Sequence, residues 1–190
     1  MKIQTNLPGP TLARLRRQYR LNYFVETGAG HGNTTELAAL YFDKVFTCEI
    51  DESLTAEVIE RMAPYLHVQV HCLPSPEFLR KIKSQLDQPT LYWLDAHWCG
   101  GPVKPERECP LLDGLAAIGG LHGHSVILAD DAGYFISPPP PPHDPKQWPT
   151  MDQINDVLAS WKEDLVTEVI QGPNSKVLIV RPSLGERTYV

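Results

Sequence analysis

The sequence lacks a long apolar run. No stretch approaches the roughly 18 consecutive apolar residues that a membrane-spanning helix needs. The opening MKIQTNLPGP also lacks the apolar segment of a secretory signal peptide. These absences predict a cytoplasmic protein that has no membrane partner.

Excess positive charge is also missing. The 190 residues carry 17 Lys and Arg against 23 Asp and Glu, a formal net charge of −6. A net negative chain argues against the backbone of a nucleic acid as the main partner. The length predicts one domain over residues 1–190, and nothing in the composition decides whether it forms a homo-oligomer.

Paired cysteine motifs are absent as well. Cys48, Cys72, Cys99 and Cys109 show no C-x-x-C spacing, which favours reduced thiols over a disulfide framework. Two of them fall in one segment with His97, His122 and His124. A zinc site in that segment is therefore a weaker alternative, because the usual ligand spacings are missing.

Short apolar strands alternate with helical patterns along most of the chain. A helical N-terminal segment (1–20) precedes five strand–helix alternations, with strands predicted at 23–28, 44–50, 67–73, 90–95 and 125–130. The chain then ends in a helix and two strands, LVTEVIQ and KVLIVRP, joined by the turn GPNS. The pattern predicts an α/β, Rossmann-like, doubly wound seven-stranded sheet, mostly parallel with an antiparallel last strand.

A glycine-rich turn follows the first predicted strand. VETGAGHGN places Gly28, Gly30 and Gly32 before a helix, where backbone amides can approach a ligand. Glu26 precedes this turn and suits a cationic ligand group better than a pyrophosphate. Glu49 ends the second strand, where an acid typically accepts hydrogen bonds from ribose hydroxyls. S-adenosylmethionine fits this description.

With these motifs, residues 20–181 resemble the class I S-adenosylmethionine-dependent methyltransferases. FVETGAGHG is similar to their first motif, and VFTCEID to their acidic second-strand motif. The family often has an acid near the adenine after the third strand, but here Pro74 stands in that place and Ser75 follows it. The resemblance implies cofactor contacts from Glu26, Thr27, Gly28, Gly30, Gly32, Asn33, Thr34, Glu49, Ile50, Ser75 and Asp95.

Three aspartates end the fourth and fifth predicted strands. Asp95 ends LYWLD, and Asp130 and Asp131 end VILADD. Neighbouring parallel strands bring such side chains to one edge, where each carboxylate raises the pKa of the others unless a cation neutralises them. Hard divalent cations prefer these oxygen ligands. Capping of the following loop and direct contact with a substrate are the alternatives.

The aspartate pattern resembles one subgroup of the family, the metal-dependent enzymes related to macrocin O-methyltransferase and the cephalosporin-hydroxylase-associated methyltransferase. The resemblance implies Mg²⁺, or another hard divalent cation, bound by Asp95, Asp130 and Asp131. It also implies that Asp95 or His97 removes a proton from a hydroxyl of a small-molecule acceptor. The expected activity is O-methylation, with metal-free N- or protein-directed methyl transfer, metal-dependent hydrolysis and a non-catalytic partner-binding module as alternatives.

A proline-rich loop (134–149) follows the aspartates. Its five consecutive prolines favour stiff extended geometry, and residues 137–149 are expected to form neither a helix nor a central strand. Chain order places the loop over the acceptor side of the expected cleft. We therefore predict a lid or wall for the acceptor, with a ligand for a proline-binding domain as the alternative.

Overall fold

The computed structural model describes residues 5–100, 105 and 107–183. The strands are β1 (Tyr23–Thr27), β2 (Lys44–Glu49), β3 (Val68–Cys72), β4 (Thr90–Leu94), β5 (Val126–Ala129), β6 (Leu165–Gln171) and β7 (Lys176–Pro182). The helices are α1 (Gly9–Tyr19), α2 (Asn33–Ala39), α3 (Glu52–Met62), α4 (Ser75–Ile82), α5 (Leu111–Ile118), α6 (Ala132–Ile136) and α7 (Met151–Ser160).

One seven-stranded sheet has the order β3-β2-β1-β4-β5-β7-β6. Strands β1 to β5 pair in parallel with their neighbours, whereas β7 is antiparallel to both β5 and β6. The predicted Rossmann-like α/β fold with a reversed last strand is therefore confirmed. The order changes direction between β1 and β4, the place where ligands bind in open sheets of this kind.

The core lies on both faces of the sheet. Alternate residues of β1 point to opposite sides: Val25 packs in a cluster with α4, α5 and α7, and Phe24 packs in a cluster with α1 and α2. Both side chains are fully buried. Burying side chains of this size is worth about 1.5–3 kcal/mol each, so the central strands hold the carboxyl edge of the sheet in place.

The segments outside the central sheet match their predictions in part. Helix α1 occupies the predicted N-terminal helical segment, and residues 1–4 of that segment lie outside the described residues. The predicted proline-rich loop begins inside α6 and contains one 3₁₀ turn, Pro145–Gln147. Among the described residues, no helix has both the length and the apolar character to cross a membrane.

Candidate active site

A cleft of about 1360 Å³ opens along the carboxyl edge of the sheet. Many of the predicted site residues line it: Gly28, Gly30, Asn33, Thr34, Glu49, Ile50, Ser75, Asp95, His97 and Asp131. Pockets for one drug-sized ligand usually hold about 300–1,000 Å³. The cleft is therefore large enough for two ligands side by side.

The glycine turn packs directly against the segment that follows β4. Gly28 has a φ of +82°, and a Cβ atom there would lie 2.8 Å from the Cα of Ala96. The backbone amide of Gly28 also donates to the carbonyl of Cys48, 3.0 Å away. Only glycine fits this close approach. The turn and the acidic end of β4 are thus held at a fixed separation.

Glu49 is held at the end of β2 by backbone amides. Its carboxylate accepts hydrogen bonds from the amides of Gly30 (2.9 Å), Ile50 (2.8 Å) and Asp51 (3.1 Å). Beside it, the Ile50 side chain is 44% exposed at the cleft. The pair therefore presents a fixed carboxylate and an apolar surface to the same part of the cleft.

Glu26 lies beneath the glycine turn and does not line the cleft. Its carboxylate accepts hydrogen bonds from the hydroxyls of Thr35 (2.5 Å) and Thr47 (2.7 Å), and the side chain is buried. Burial raises its pKa to about 7, although both threonine hydrogen bonds oppose the rise. The carboxyl ties β1 to α2 and β2, and its role as a cofactor contact stays a prediction.

The remaining predicted cofactor residues differ in their surroundings. Asn33 accepts a hydrogen bond from Arg61, 2.8 Å away, and Thr34 lies 2.6 Å from the hydroxyl of Thr5. Thr27 and Gly32 do not line the main cleft. The Thr27 carbonyl accepts from the amide of Asp95 at 3.0 Å, and Gly32 immediately precedes α2.

His97 lies between two of the predicted aspartates. Its Nε2 is 2.9 Å from Oδ2 of Asp131, and its Nδ1 is 3.7 Å from Oδ1 of Asp95. The thiol of Cys99 lies 3.3 Å from the same Nε2. Because β4 and β5 are neighbouring parallel strands, these residues meet at one edge, as the sequence predicted.

Asp95 and His97 both hold protons more tightly than usual. Burial and the charge of Asp130 raise the pKa of Asp95 well above its ordinary value, against the opposing effect of His97. Burial opposes the charged form of His97, but the hydrogen bonds to Asp131 and Cys99 raise its pKa well above the usual range. The predicted repulsion among the three aspartates therefore contributes at Asp95, where burial is the larger cause.

Asp130 turns away from its neighbour and into the protein. It is 3% exposed and accepts hydrogen bonds from Asn6 (2.9 Å), from the hydroxyl of Ser175 and from the amide of Asp131 (2.8 Å). Asp131 has a φ of +54°, and this left-handed turn directs the two adjacent carboxylates differently. Asn174 in turn donates to Asn6. The buried carboxylate thereby connects the N-terminal segment and the β6–β7 turn to the site.

The predicted metal ligands do not form a ligand set. Among the described residues, no three His, Cys, Asp or Glu side chains are grouped so that they could hold a metal ion. Asp130 gives both oxygens to partners within the protein, and Asp131 faces His97. The weaker zinc alternative is also not assembled, because His122 lies by a small cavity lined by the starts of β4 and β5.

Comparisons with protein-family models and with curated protein sequences find no match. Solved structures are similar across nearly the whole chain. A protein from Streptococcus mutans, assigned as a methyltransferase and solved in complex with SAH, has a TM-score of 0.59 at 13% identity and covers 94% of this chain and 99% of its own. One from Staphylococcus aureus, assigned as a caffeoyl-CoA O-methyltransferase, has a TM-score of 0.66 at 13% identity, with coverages of 92% and 82%.

A third, from Clostridium thermocellum and assigned as an rRNA methylase, has a TM-score of 0.63 at 13% identity and covers 96% and 99% of the two chains. The chain shares its fold with these solved methyltransferases. At this level of identity the likeness concerns the fold and leaves the acceptor open.

In this methyltransferase fold, several site residues carried no recognisable sequence pattern. Asn6 and Ser175 are 124 and 45 positions away from Asp130, so chain spacing gives no hint of their contact. Glu108 lines the cleft from the segment before α5, and it was not predicted. A lone acid in a loop has no periodicity to distinguish it from a solvent-exposed side chain.

Proposed function

We propose that the protein transfers a methyl group from S-adenosylmethionine to a hydroxyl group of a small molecule. The observation that carries the proposal is one cleft with two chemically different halves. The glycine turn with Glu49, and the group of Asp95, His97 and Asp131, both line this cleft; we assign the first to the cofactor half and the second to the acceptor half. The shared fold of the solved methyltransferases supports the same assignment.

The first half fits the cofactor. Glu49 offers a carboxylate for ribose hydroxyls, Ile50 offers an apolar surface beside it, and a Cβ at Gly30 would meet no atom within 4 Å. The open backbone at Gly30 lets a ligand approach closely. When bound, S-adenosylmethionine supplies an electrophilic methyl group on a positively charged sulfur. The turn and Glu49 would hold it next to the end of β4.

The second half provides a base. A carboxyl with a raised pKa is a stronger base, once ionised, than an ordinary aspartate, and general bases contribute about 10²–10⁴-fold to rate. Asp95 takes the proton of the acceptor hydroxyl in its ionised form, and His97 lies beside it, with Nδ1 3.7 Å from Oδ1 of Asp95. Asp131 orients the His97 ring through the 2.9 Å contact to Nε2.

The sequence resemblance also implies assistance by Mg²⁺, but the described side chains are not arranged to bind it. No step of the proposal depends on a cation. A metal role would require Asp130 to exchange Asn6 and Ser175 for the cation. A chelator distinguishes the two accounts directly, because carboxylate-bound Mg²⁺ is removed by excess EDTA.

The experiment is transfer of a labelled methyl group from S-adenosylmethionine to panels of hydroxyl, amine and RNA acceptors, with and without EDTA. We expect label on a hydroxyl compound in EDTA. Asp95→Asn should lower kcat by about 100-fold or more. Transfer that requires added Mg²⁺ would restore the metal account, and label only on an amine or RNA would contradict the hydroxyl assignment.

A matched pair of glutamate variants tests the cofactor half. Glu49→Gln should weaken S-adenosylmethionine binding by about tenfold, because a neutral amide accepts weaker hydrogen bonds from ribose hydroxyls than a carboxylate does. Glu60→Gln makes the same change on the exposed surface of α3 and should bind the cofactor normally. Equal affinity in both variants would contradict the assignment of Glu49.

A further inference from the structure

A buried carboxylate lies in the wall of the cleft. The Glu108 side chain is fully buried, and its carboxylate accepts hydrogen bonds from the indole of Trp148 (3.1 Å) and the amide of Asp144 (3.1 Å). His143 Nδ1 lies 3.2 Å from the same oxygen. Trp148, Asp144 and His143 all belong to the proline-rich loop.

The backbone of Glu108 extends this connection. Its amide donates to the side-chain oxygen of Gln147 at 3.0 Å, and its carbonyl accepts from the amide of Trp98 at 2.7 Å. Trp98 belongs to the segment that follows β4, one residue after His97. Glu108 therefore joins the proline-rich loop to the segment that carries the proposed base.

Burying a carboxylate is unfavourable unless hydrogen bonds replace the lost water. Several charge-assisted hydrogen bonds to one carboxylate offset that penalty and fix the donors in one geometry. The donors here come from a segment that has little regular secondary structure between α6 and α7. The buried group therefore gives several donors of this loop one shared acceptor from outside the loop.

Trp148, which donates to Glu108, is also part of the cleft wall. It is 5% exposed, lines the cleft, and its ring centroid lies 5.5 Å from that of His97. The rings of Tyr134 and His143 pack at right angles to it, at 5.2 and 5.4 Å. The hydrogen bond from the indole nitrogen and the two ring contacts make Trp148 a rigid surface next to the proposed base.

We propose that Glu108 is a positioning residue that fixes Trp148 and residues 143–148 as a preformed wall for the acceptor. The proline-rich loop is then a standing part of the cleft and is neither a moving lid nor a ligand for a proline-binding domain. Acceptor selectivity depends on this wall, whereas cofactor binding does not. The proposal rests on the proposed methyl transfer for its kinetic consequences only.

The first test does not require activity. The four tryptophans give four indole N–H signals in a proton–nitrogen spectrum, and Trp148→Phe identifies the one of interest. Glu108→Gln should shift this signal and lower its protection from hydrogen exchange by about tenfold or more. This isosteric variant keeps one carbonyl acceptor and the volume of the side chain, so the fold should survive.

Glu163→Gln is the matched control. Glu163 accepts hydrogen bonds from the amide of Leu121 at 3.0 Å, so it also anchors a backbone segment, and it does not line the cleft. The Trp148 signal should be unchanged in this variant. A Trp148 signal that is equally unaffected in Glu108→Gln, or equally changed in both, would overturn the proposal.

The second test is kinetic. Glu108→Gln and Trp148→Phe should each raise the acceptor KM by about tenfold and leave the KM for S-adenosylmethionine unchanged. The double variant should be little worse than either single one, because both remove the same contact. Equal losses for both substrates, or additive losses, would contradict a positioning role. If no methyl transfer occurs at all, the proposed function fails and the spectrum still decides the role of Glu108.

Discussion

Glu26→Gln is expected to stabilise the protein at neutral and alkaline pH. Glu26 is buried between the hydroxyls of Thr35 and Thr47, in a place where ionisation is unfavourable. Glutamine has the shape of the protonated acid and cannot ionise. Its carbonyl can accept from both threonines, so the substitution keeps the contacts and removes only the charge.

The size of the effect follows from the raised pKa. Burial raises the pKa of Glu26 from an ordinary 4.5 to about 7. Each pKa unit is worth about 1.4 kcal/mol, so ionisation of Glu26 should lower the free energy of unfolding by about 3 kcal/mol in total. Between pH 4.5 and 7 the folded protein keeps a proton on Glu26 that the unfolded chain has lost. The contribution of Glu26 to wild-type stability therefore falls as the pH rises through this range.

The assay is urea unfolding of both proteins from pH 4 to 8. We expect Glu26→Gln and the wild type to be similar near pH 4, with a gap that grows to about 3 kcal/mol by pH 8. Glu60→Gln, at an exposed site on α3, controls for removing one negative charge. A difference in the free energy of unfolding that does not change with pH, or that also appears in Glu60→Gln, would refute the reasoning.

The same variant bears on the sequence-based role of Glu26. Its binding of S-adenosylhomocysteine can be titrated where both proteins are fully folded. A clear loss of affinity with the fold intact would support Glu26 as a cofactor contact. Unchanged affinity would limit Glu26 to its structural connection of β1, α2 and β2.

Three further changes have directions that the structure determines. Asp131→Asn removes the hydrogen bond that raises the pKa of His97, so the acidic limb of kcat/KM against pH should move to lower pH; an unmoved limb would exclude this contact. Gly28→Ala places a Cβ 2.8 Å from backbone atoms after β4, so urea unfolding should show a loss of about 3 kcal/mol or more, and a normal midpoint would contradict the close packing. Ser175→Ala removes one hydrogen-bond donor from buried Asp130 and should lower the free energy of unfolding by about 1–3 kcal/mol in the same assay. Ser175→Thr keeps a hydroxyl and should retain most of the wild-type stability.

The sequence predicted the parts of this molecule that depend on periodicity and chain order. Alternating apolar strands and helices sufficed for the sheet, and the tight GPNS turn sufficed for the reversed β7. Parallel pairing of β4 and β5 then placed Asp95, His97 and Asp131 together. These inferences succeed because each uses a rule that acts along the chain or between adjacent strands.

Side-chain direction was not predictable in the same way. Asp130 and Asp131 are adjacent, yet one is buried on Asn6 and Ser175 and the other faces His97. The left-handed turn at Asp131 separates them, and non-glycine residues seldom adopt it. The three predicted metal ligands are therefore not grouped with one another among the described residues. Glu108 was missed because its partners lie about 40 positions further along the chain, where no spacing pattern connects them.

The most direct test of the central claim is calorimetric titration of the wild-type protein with S-adenosylhomocysteine. We expect binding at one site with micromolar affinity, reduced about tenfold in Glu49→Gln and unchanged in Glu60→Gln. No heat at millimolar ligand, with the protein shown to be folded, would contradict a cofactor site in this cleft and with it the proposed methyl transfer.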